Sequence, residues 1–211
     1  MTTYSFSRLN LFLQCPYSYY LKYVMKIQTP VGPAVEHGRF IHEQLENFGK
    51  GLDYDAKAKA FVKKLEKYLE ITEDEIVKTE EQVKFMIDGY NFVCVIDAIT
   101  KKDIIIDYKI TSAPSNYANK VGYQLPIYHI ALGKGTPKFL LFKVAGKERK
   151  LAELQVQEVA LTEKLIEDKA DYVSHIIGMI EMCMESGQFP PSYQGCRTCF
   201  YKAHCPYYTG G

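Results

Sequence analysis

The chain has 211 residues, of which 47% are hydrophobic and 24% are charged, as in ordinary folded proteins. Its 26 Lys and Arg residues nearly balance its 25 Asp and Glu residues, so the formal net charge is +1. This balance argues against charge-driven coating of nucleic acid, and any such binding would come from a local groove. No apolar run approaches the roughly 18 residues that a membrane span needs, and the N-terminus lacks a signal-peptide stretch. We therefore expect one cytoplasmic domain over residues 1–211.

Helices are predicted for the first third of the chain. Apolar residues recur at helical spacing in four segments, which are residues 8–15, 17–27, 36–48 and 55–70. Ser7 is a candidate cap for the first helix, and Pro16 separates it from a tyrosine-rich second helix. Residues 28–35 contain two prolines and a glycine and predict a loop. Gly49 and Gly51 mark the end of the third helix.

The rest of the chain mixes strand and helix patterns. The predicted elements, in chain order, are strands at 81–87, 90–99 and 103–110, a helix over Tyr117–Leu132, strands at 138–144 and 152–160, and a helix at 162–186. Asp88-Gly89 predicts a hairpin turn, Pro126 indicates a kink or a late helix start, and Thr162 is a candidate helix cap. This order predicts an α/β fold with a mixed sheet covered by helices.

The most informative residues lie on two neighbouring predicted strands. Asp97 is near the end of one strand, and Asp107 and Lys109 are two positions apart on the next, so their side chains share a face. Two carboxylates that converge at a sheet edge form a hard-oxygen site suited to Mg²⁺ or Mn²⁺. A lysine beside them can orient or deprotonate a water and neutralise phosphate charge, as in a metal-dependent phosphodiester hydrolase. The alternative interpretation is a solvated strand end.

Three further residues leave structural and functional interpretations open. His42 follows Gly38 in a G-x3-H spacing on a predicted helix, where it can pack in the core or bind a metal ion. Gln124 and Tyr128 are four positions apart on a later helix and share a face. These two side chains can hold a phosphate or a base edge, or they can simply pack.

The cysteines indicate a second metal-binding centre. Three of the six cysteines cluster near the C-terminus, at Cys196, Cys199 and Cys205. Soft thiolates in this C-x2-C-x5-C spacing suit zinc or an iron–sulfur cluster, each of which takes four ligands. Cys15, in a distant Cys-Pro step, is the favoured fourth ligand, and His204 is an alternative for zinc. For Cys94 and Cys183, core packing is expected.

Taken together, these motifs resemble the RecB-like nuclease domains of the PD-(D/E)XK superfamily. The closer likeness is to the iron–sulfur branch, which includes the CRISPR-associated exonucleases of the fourth Cas family and the AddB-type recombination nucleases. The matching positions, in chain order, are Cys15-Pro16, Gly38 with His42, Asp97, Asp107-Tyr108-Lys109, Gln124 with Tyr128, and the cysteine tail. The resemblance covers nearly the whole chain. One departure is Ile96, which stands where the superfamily motif has proline.

The resemblance implies a restriction-endonuclease-like core over about residues 36–186. It implies that a 4Fe–4S cluster on Cys15, Cys196, Cys199 and Cys205 staples the terminal segments 1–30 and 187–211 to each other. The implied ligands of a Mg²⁺ or Mn²⁺ ion are His42, Asp97, Asp107 and the backbone carbonyl of Tyr108. Lys109 would assist the attacking water, and Gln124 and Tyr128 would help to seat the DNA.

The function implied is a metal-dependent deoxyribonuclease that acts as an exonuclease on DNA ends, with single strands expected. The expected setting is CRISPR adaptation or phage or bacterial recombination in a prokaryotic or phage-infected cytoplasm, with integrase or recombination proteins as partners. A non-catalytic adaptor that binds DNA ends is the alternative, and a zinc-bound regulatory protein is a third interpretation. The intact set of His42, Asp97, Asp107 and Lys109 argues against the adaptor.

Overall fold

A computed structural model of the protein describes residues 2–114, 122–193 and 195–209. The contacts within the chain form two compact units. Unit 1 comprises Met1–Val31, Phe85–Val93 and Ala170–Gly211, and unit 2 comprises Gly32–Lys84 and Cys94–Lys169. Both units therefore combine segments that are distant in sequence. The prediction of a single domain, with a core at about 36–186, stays a prediction.

Unit 1 contains the first helices of the chain. Helix α1 spans Phe6–Gln14, and helix α2 spans Pro16–Tyr19 and continues as a π-helical stretch over Tyr20–Val24. Helix α1 is preceded by Ser5, so the predicted cap at Ser7 is wrong. Cys15 is extended between the two helices because the residue before a proline is disfavoured from helical conformation. Pro16 then begins α2 at a position that needs no amide donor.

The predicted hairpin is present, with a longer first strand. Strand β1 spans Thr3–Tyr4, β2 spans Ile76–Ile87 and β3 spans Tyr90–Thr100. Asp88 and Gly89 both have positive φ, as the predicted two-residue turn requires. In unit 1, β1 pairs in parallel with Asn91 and Phe92 of β3, a pairing that the sequence pattern did not predict. The last helix, α6 (Glu163–Ser186), ends in this unit. The Leu165 amide donates to the Thr162 hydroxyl at 3.2 Å, which confirms the predicted cap of α6.

Unit 2 contains two helices that cover one face of its strands. Helix α3 spans Pro33–Gly49, a 3-10 turn spans Ala56–Ala58, and helix α4 spans Lys59–Thr72. Pro33 is the first residue of α3, so the predicted loop before that helix is shorter than expected. Leu45 of α3 and Leu65 of α4 are fully buried in one hydrophobic cluster with Phe142. This burial fixes the face that α3 turns to the strands.

The centre of unit 2 is a parallel strand pair joined through a helix. The elements are β4 (Ile104–Thr111), α5 (Gln124–Leu132), β5 (Thr136–Ala145) and β6 (Lys150–Glu158). Strand β4 pairs in parallel with β5, whereas β5 pairs with β6 in antiparallel fashion. Pro126 lies in the first turn of α5, so the late helix start is confirmed; residues 117–121 of the predicted helix lie outside the described residues. The predicted α/β fold with a mixed sheet and covering helices is confirmed.

Strands β3 and β4 pair over a short stretch and then separate. Within the described chain their antiparallel ladder joins Ala98 to Ile106 and Ile99 to Ile105. One residue further, the Tyr108 amide donates to a carboxylate oxygen of Asp97 at 2.6 Å, in place of a backbone carbonyl. The Val95 carbonyl oxygen likewise lies 3.3 Å from a side-chain atom, the hydroxyl oxygen of Tyr128. The fork between the two strands therefore exposes backbone groups to polar side chains.

Candidate active site

Strand β4 brings an acid and a base together at this fork. Successive side chains alternate between the two faces of a strand, so Ile106 and Tyr108 enter the hydrophobic cluster under α3 and α4. Asp107 and Lys109 therefore share the opposite face, as the sequence predicts, and they form an ion pair. The Asp107 side chain is only 2% exposed, whereas that of Lys109 is 22% exposed. Lys109 is thus paired with a buried carboxylate, while part of its side chain is accessible to solvent.

Helix α5 supplies two hydrogen bonds to the same carboxylate. Gln124 and Tyr128 are one helical turn apart, and both donate to Asp107 Oδ1, at 2.8 Å and 2.7 Å. Both side chains are buried, so in this geometry they orient Asp107, and a contribution to DNA binding would be indirect. Burial raises the pKa of Asp107, although the neighbouring Lys109 acts in the opposite direction. The carboxylate therefore depends on its partners to stay ionised.

Asp97 joins the fork to helix α3. One of its oxygens accepts the Tyr108 amide and also lies 3.5 Å from His42 Nδ1. The Asp97 side chain is 13% exposed and that of His42 is 29% exposed, so both border solvent. Burial by itself would lower the pKa of His42, but the hydrogen bond and the charge of Asp97 outweigh it, and the net shift is upward. The Asp97 carboxylate therefore favours the protonated form of the His42 imidazole.

Glu80 completes the group, and the sequence analysis did not identify it. Ligand atoms of His42, Glu80 and Asp97 all lie within 4.8 Å of one another. Glu80 lies inside β2 with a φ of 48°, a left-handed conformation that is uncommon for a non-glycine residue. Burial raises the pKa of Glu80, and the nearby charges of Asp97 and Glu46 raise it further. Glu80 lies in an acid-rich segment that resembles a solvated strand end. The local sequence therefore gives no indication that Glu80 is a candidate metal ligand.

The donor set of this group fits a divalent cation. Two carboxylates and an imidazole are ligands that Mg²⁺ or Mn²⁺ accepts. Among the described residues, this is the one group that gathers three candidate ligand atoms within 4.8 Å. Asp107, which the resemblance assigns as a ligand, is not part of this group, although the charge of Asp97 raises its pKa. Tyr108 adjoins the group through the hydrogen bond from its amide to Asp97.

A cleft of about 750 Å³ opens beside this group within unit 2. Lys109, His42, Asp97 and Glu80 all line it. Its other lining residues are Ala34, Val35, Gly38, Arg39, Glu43, Glu46, Val95, Ile110 and Arg149. The cleft therefore offers acidic ligands, a lysine and two guanidinium groups to one bound molecule.

The four candidate cluster cysteines lie together in unit 1. Cys196 is affected by local burial and by the charges of Cys15, Cys199 and Cys205, which raise its pKa. The Ser192 amide donates to Cys15 Sγ at 3.3 Å, and the Tyr201 amide donates to Cys199 Sγ at 3.4 Å. The two other cysteines stand apart: Cys94 is buried, with a pKa raised to about 12, and Cys183 is partly exposed on α6.

The comparisons with known proteins agree with this architecture. The family model of the PD-(D/E)XK nuclease superfamily matches residues 3–85 and 53–206. The chain therefore belongs to the PD-(D/E)XK nuclease superfamily, with the restriction-endonuclease-like fold that the sequence analysis expects. Members of this superfamily use divalent metal ions, which agrees with the donor set at the fork.

Two solved structures share the fold. A protein of Eubacterium rectale, named as a candidate exonuclease, superposes with a TM-score of 0.67 at 12% identity, covering 95% of this chain and 86% of its own. SSO0001 superposes with a TM-score of 0.53 at 18% identity, covering 99% of this chain and 87% of its own. A search of curated proteins gives no significant match. Among the helices of the described chain, none has the length and apolarity needed to cross a membrane.

Proposed function

We propose that this nuclease is a divalent-metal-dependent exonuclease that hydrolyses DNA from its ends, with single-stranded ends as the expected substrate. The observation that carries the proposal is the joint placement of the His42–Glu80–Asp97 group and Lys109, which is paired with the buried Asp107, around one cleft. These are the parts that phosphodiester hydrolysis needs: ligands for a cation, and a lysine beside them. The resemblance to the exonuclease branch supports the preference for ends.

Each residue has a distinct role in the proposed reaction. His42, Asp97 and Glu80 would hold the cation together with the ligands that the resemblance assigns, Asp107 and the Tyr108 carbonyl. A divalent cation held by these residues would supply Lewis acidity towards the phosphate and the attacking water. Lys109 would orient that water and neutralise charge on the phosphate, because its ammonium group is held at the mouth of the site by Asp107.

Gln124 and Tyr128 would act as positioning residues. They fix Asp107 through two hydrogen bonds to one oxygen, which leaves the second oxygen facing Lys109. Replacing Gln124 by Leu would remove one of these two hydrogen bonds without removing any group at the cleft. We expect kcat to fall while DNA affinity is kept.

The first experiment measures digestion of end-labelled single-stranded DNA with Mn²⁺, with and without EDTA. Wild type is compared with Asp107→Asn, with Lys109→Met and with the surface control Asp168→Asn, whose side chain is 56% exposed. Metal-dependent release of nucleotides by wild type and the control, lost in the two site variants, supports the proposal. Circular single-stranded DNA tests the requirement for ends, because an exonuclease leaves it intact. A folded protein that binds but never cuts either substrate would favour the adaptor.

We further propose that the four cysteines of unit 1 hold a structural 4Fe–4S cluster. Backbone amides donate to Cys15 Sγ and to Cys199 Sγ, and amide donors to sulfur are typical of ligating thiolates. A cluster here would link chain segments that are about 180 residues apart, which restricts the unfolded chain strongly.

The cluster is tested by spectroscopy and metal analysis of protein purified without oxygen. A brown protein with absorbance near ~400 nm and about four irons supports it, whereas a colourless protein with one zinc contradicts it. Cys199→Ala is expected to bleach and destabilise the protein, and Cys183→Ala on α6 is the matched control. Reduced thiols of this kind are expected in the cytoplasm of a prokaryotic or phage-infected cell. CRISPR adaptation and recombination remain the proposed settings, with integrase or recombination proteins as the proposed partners.

A further inference from the structure

Two guanidinium groups line the active-site cleft without any role in the metal group. Arg39 lies on α3 one turn before His42, and residues 39, 42, 43 and 46 recur at helical spacing along the same side of the helix. Arg149 lies at the end of the turn that joins β5 to β6. Two separate elements of unit 2 therefore each bring one arginine to the same cleft.

The side chain of Arg149 is held inward. Its Nε atom is buried and makes no hydrogen bond to any described residue. Burial, and secondly the charge of Arg149, lower the pKa of His37 on α3, which agrees with a guanidinium lying near that helix. A buried donor without a partner is destabilising, so a guanidinium held in this position needs a compensating acceptor.

The compensating acceptor does not come from the described part of the protein. Four carboxylates line the same cleft, at Glu43, Glu46, Glu80 and Asp97. Neither Arg39 nor Arg149 forms an ion pair with these or with any other described acid, whereas Glu46 pairs with Lys50 and Asp97 faces His42. Acids and guanidinium groups therefore line the same cleft, but neither guanidinium is neutralised by an ion pair with a described acid.

We propose that Arg149 and Arg39 form a subsite for a phosphate group of the DNA other than the phosphate that is cleaved. This inference rests on the proposed nuclease function. A guanidinium presents a planar fork of donors that matches two phosphate oxygens, and it stays charged at every working pH. The lining residues of the cleft include no phenylalanine or tyrosine on which a base can stack. The subsite therefore reads the backbone of the strand and not the sequence of its bases.

The test measures DNA binding without cleavage. Fluorescence anisotropy of a labelled 12-nucleotide strand is recorded with Ca²⁺ in place of Mn²⁺, over a series of salt concentrations. Arg149→Gln and Arg39→Gln are compared with Lys147→Gln, which removes an exposed cation from the same turn as Arg149. Each arginine variant is expected to bind at least about tenfold more weakly, because a charge-assisted hydrogen bond is lost. The slope of log K against log salt becomes less negative by about 0.7 for each lost phosphate contact.

Two arms distinguish the source of the phosphate. If the subsite holds a terminal phosphate, wild type prefers 5′-phosphorylated over 5′-hydroxyl strands, and Arg149→Gln abolishes that preference. If it holds an internal phosphodiester, the variant weakens both strands equally. Arg149→Lys retains the charge but not the fork, and an intermediate loss at unchanged melting temperature excludes misfolding as the cause.

Affinity and salt slope equal to those of Lys147→Gln would overturn the proposal. This outcome is separable from failure of the nuclease assignment. A protein that never cuts DNA but loses affinity in the arginine variants keeps the subsite and refutes the enzyme. A protein that cuts DNA, and whose variants all bind DNA equally, keeps the nuclease assignment and refutes the subsite.

Discussion

The buried pair of Asp107 and Lys109 gives the sharpest quantitative prediction. Replacing Lys109 by methionine keeps most of the apolar stem of the side chain but removes its charge. The Asp107 carboxyl, 2% exposed, then loses the cation that holds it. Breaking a buried ion pair from one side costs about 3–5 kcal/mol when the remaining group stays charged. We expect a loss of this size in the free energy of unfolding at pH 8 in EDTA.

The loss depends on pH in a direction that the structure sets. Burial raises the pKa of Asp107 in the wild type and Lys109 opposes it, so removing the lysine raises that pKa further. The unfolded carboxyl ionises near pH ~4, so the folded variant holds a proton that the unfolded chain releases. Unfolding free energy therefore falls as pH rises between the two pKa values, by at most about 1.4 kcal/mol per pH unit. Near pH 5 the variant regains much of its stability.

Urea unfolding of wild type and variant at pH 5, 6, 7 and 8 measures this difference. The double variant Asp107→Asn/Lys109→Met is the control, because it has no buried charge and its pH slope should match that of a neutral site. Equal destabilisation of Lys109→Met at pH 5 and pH 8 would refute the reasoning, since it would mean that the lysine acts through packing and not through the carboxylate.

Four further predictions concern unit 2. Mn²⁺ is expected to raise the melting temperature more at pH 8 than at pH 6, because the raised pKa values of Glu80 and His42 let protons compete with the cation; equal shifts in a thermal titration would contradict this. Tyr108→Phe is expected to stabilise by about 1 kcal/mol in urea, since the hydroxyl is buried without a hydrogen-bond partner among the described residues; a net loss would count against it. Gly38→Ala should add roughly 0.5–1 kcal/mol, because a Cβ there meets no atom within 4 Å. Gly38→Phe should instead slow cleavage at unchanged melting temperature by filling the cleft, and an undiminished rate would place the DNA elsewhere.

The sequence determines the elements whose periodicity is local. The alternation around Asp107 and Lys109 places both on one strand face whatever surrounds them, and the Asp88-Gly89 turn follows from residues that accept positive φ. The Cys-Pro step at Cys15 ends one helix and begins the next for a purely steric reason. These features needed no knowledge of distant contacts.

Tertiary structure decided the features that break local rules. Glu80 reaches the metal group through a left-handed residue inside a strand, and Arg149 reaches the cleft from a left-handed turn position. Left-handed conformations are unfavourable for non-glycine residues, so local propensity does not predict them. Packing of the surrounding structure is needed to stabilise them. Gln124 and Tyr128 share a helix face by sequence, but their burial against Asp107 arises from the contact of α5 with β4. Spacing along the chain therefore predicts which residues are candidates for the active site. The separation of β3 from β4 determines which of these side chains come into contact.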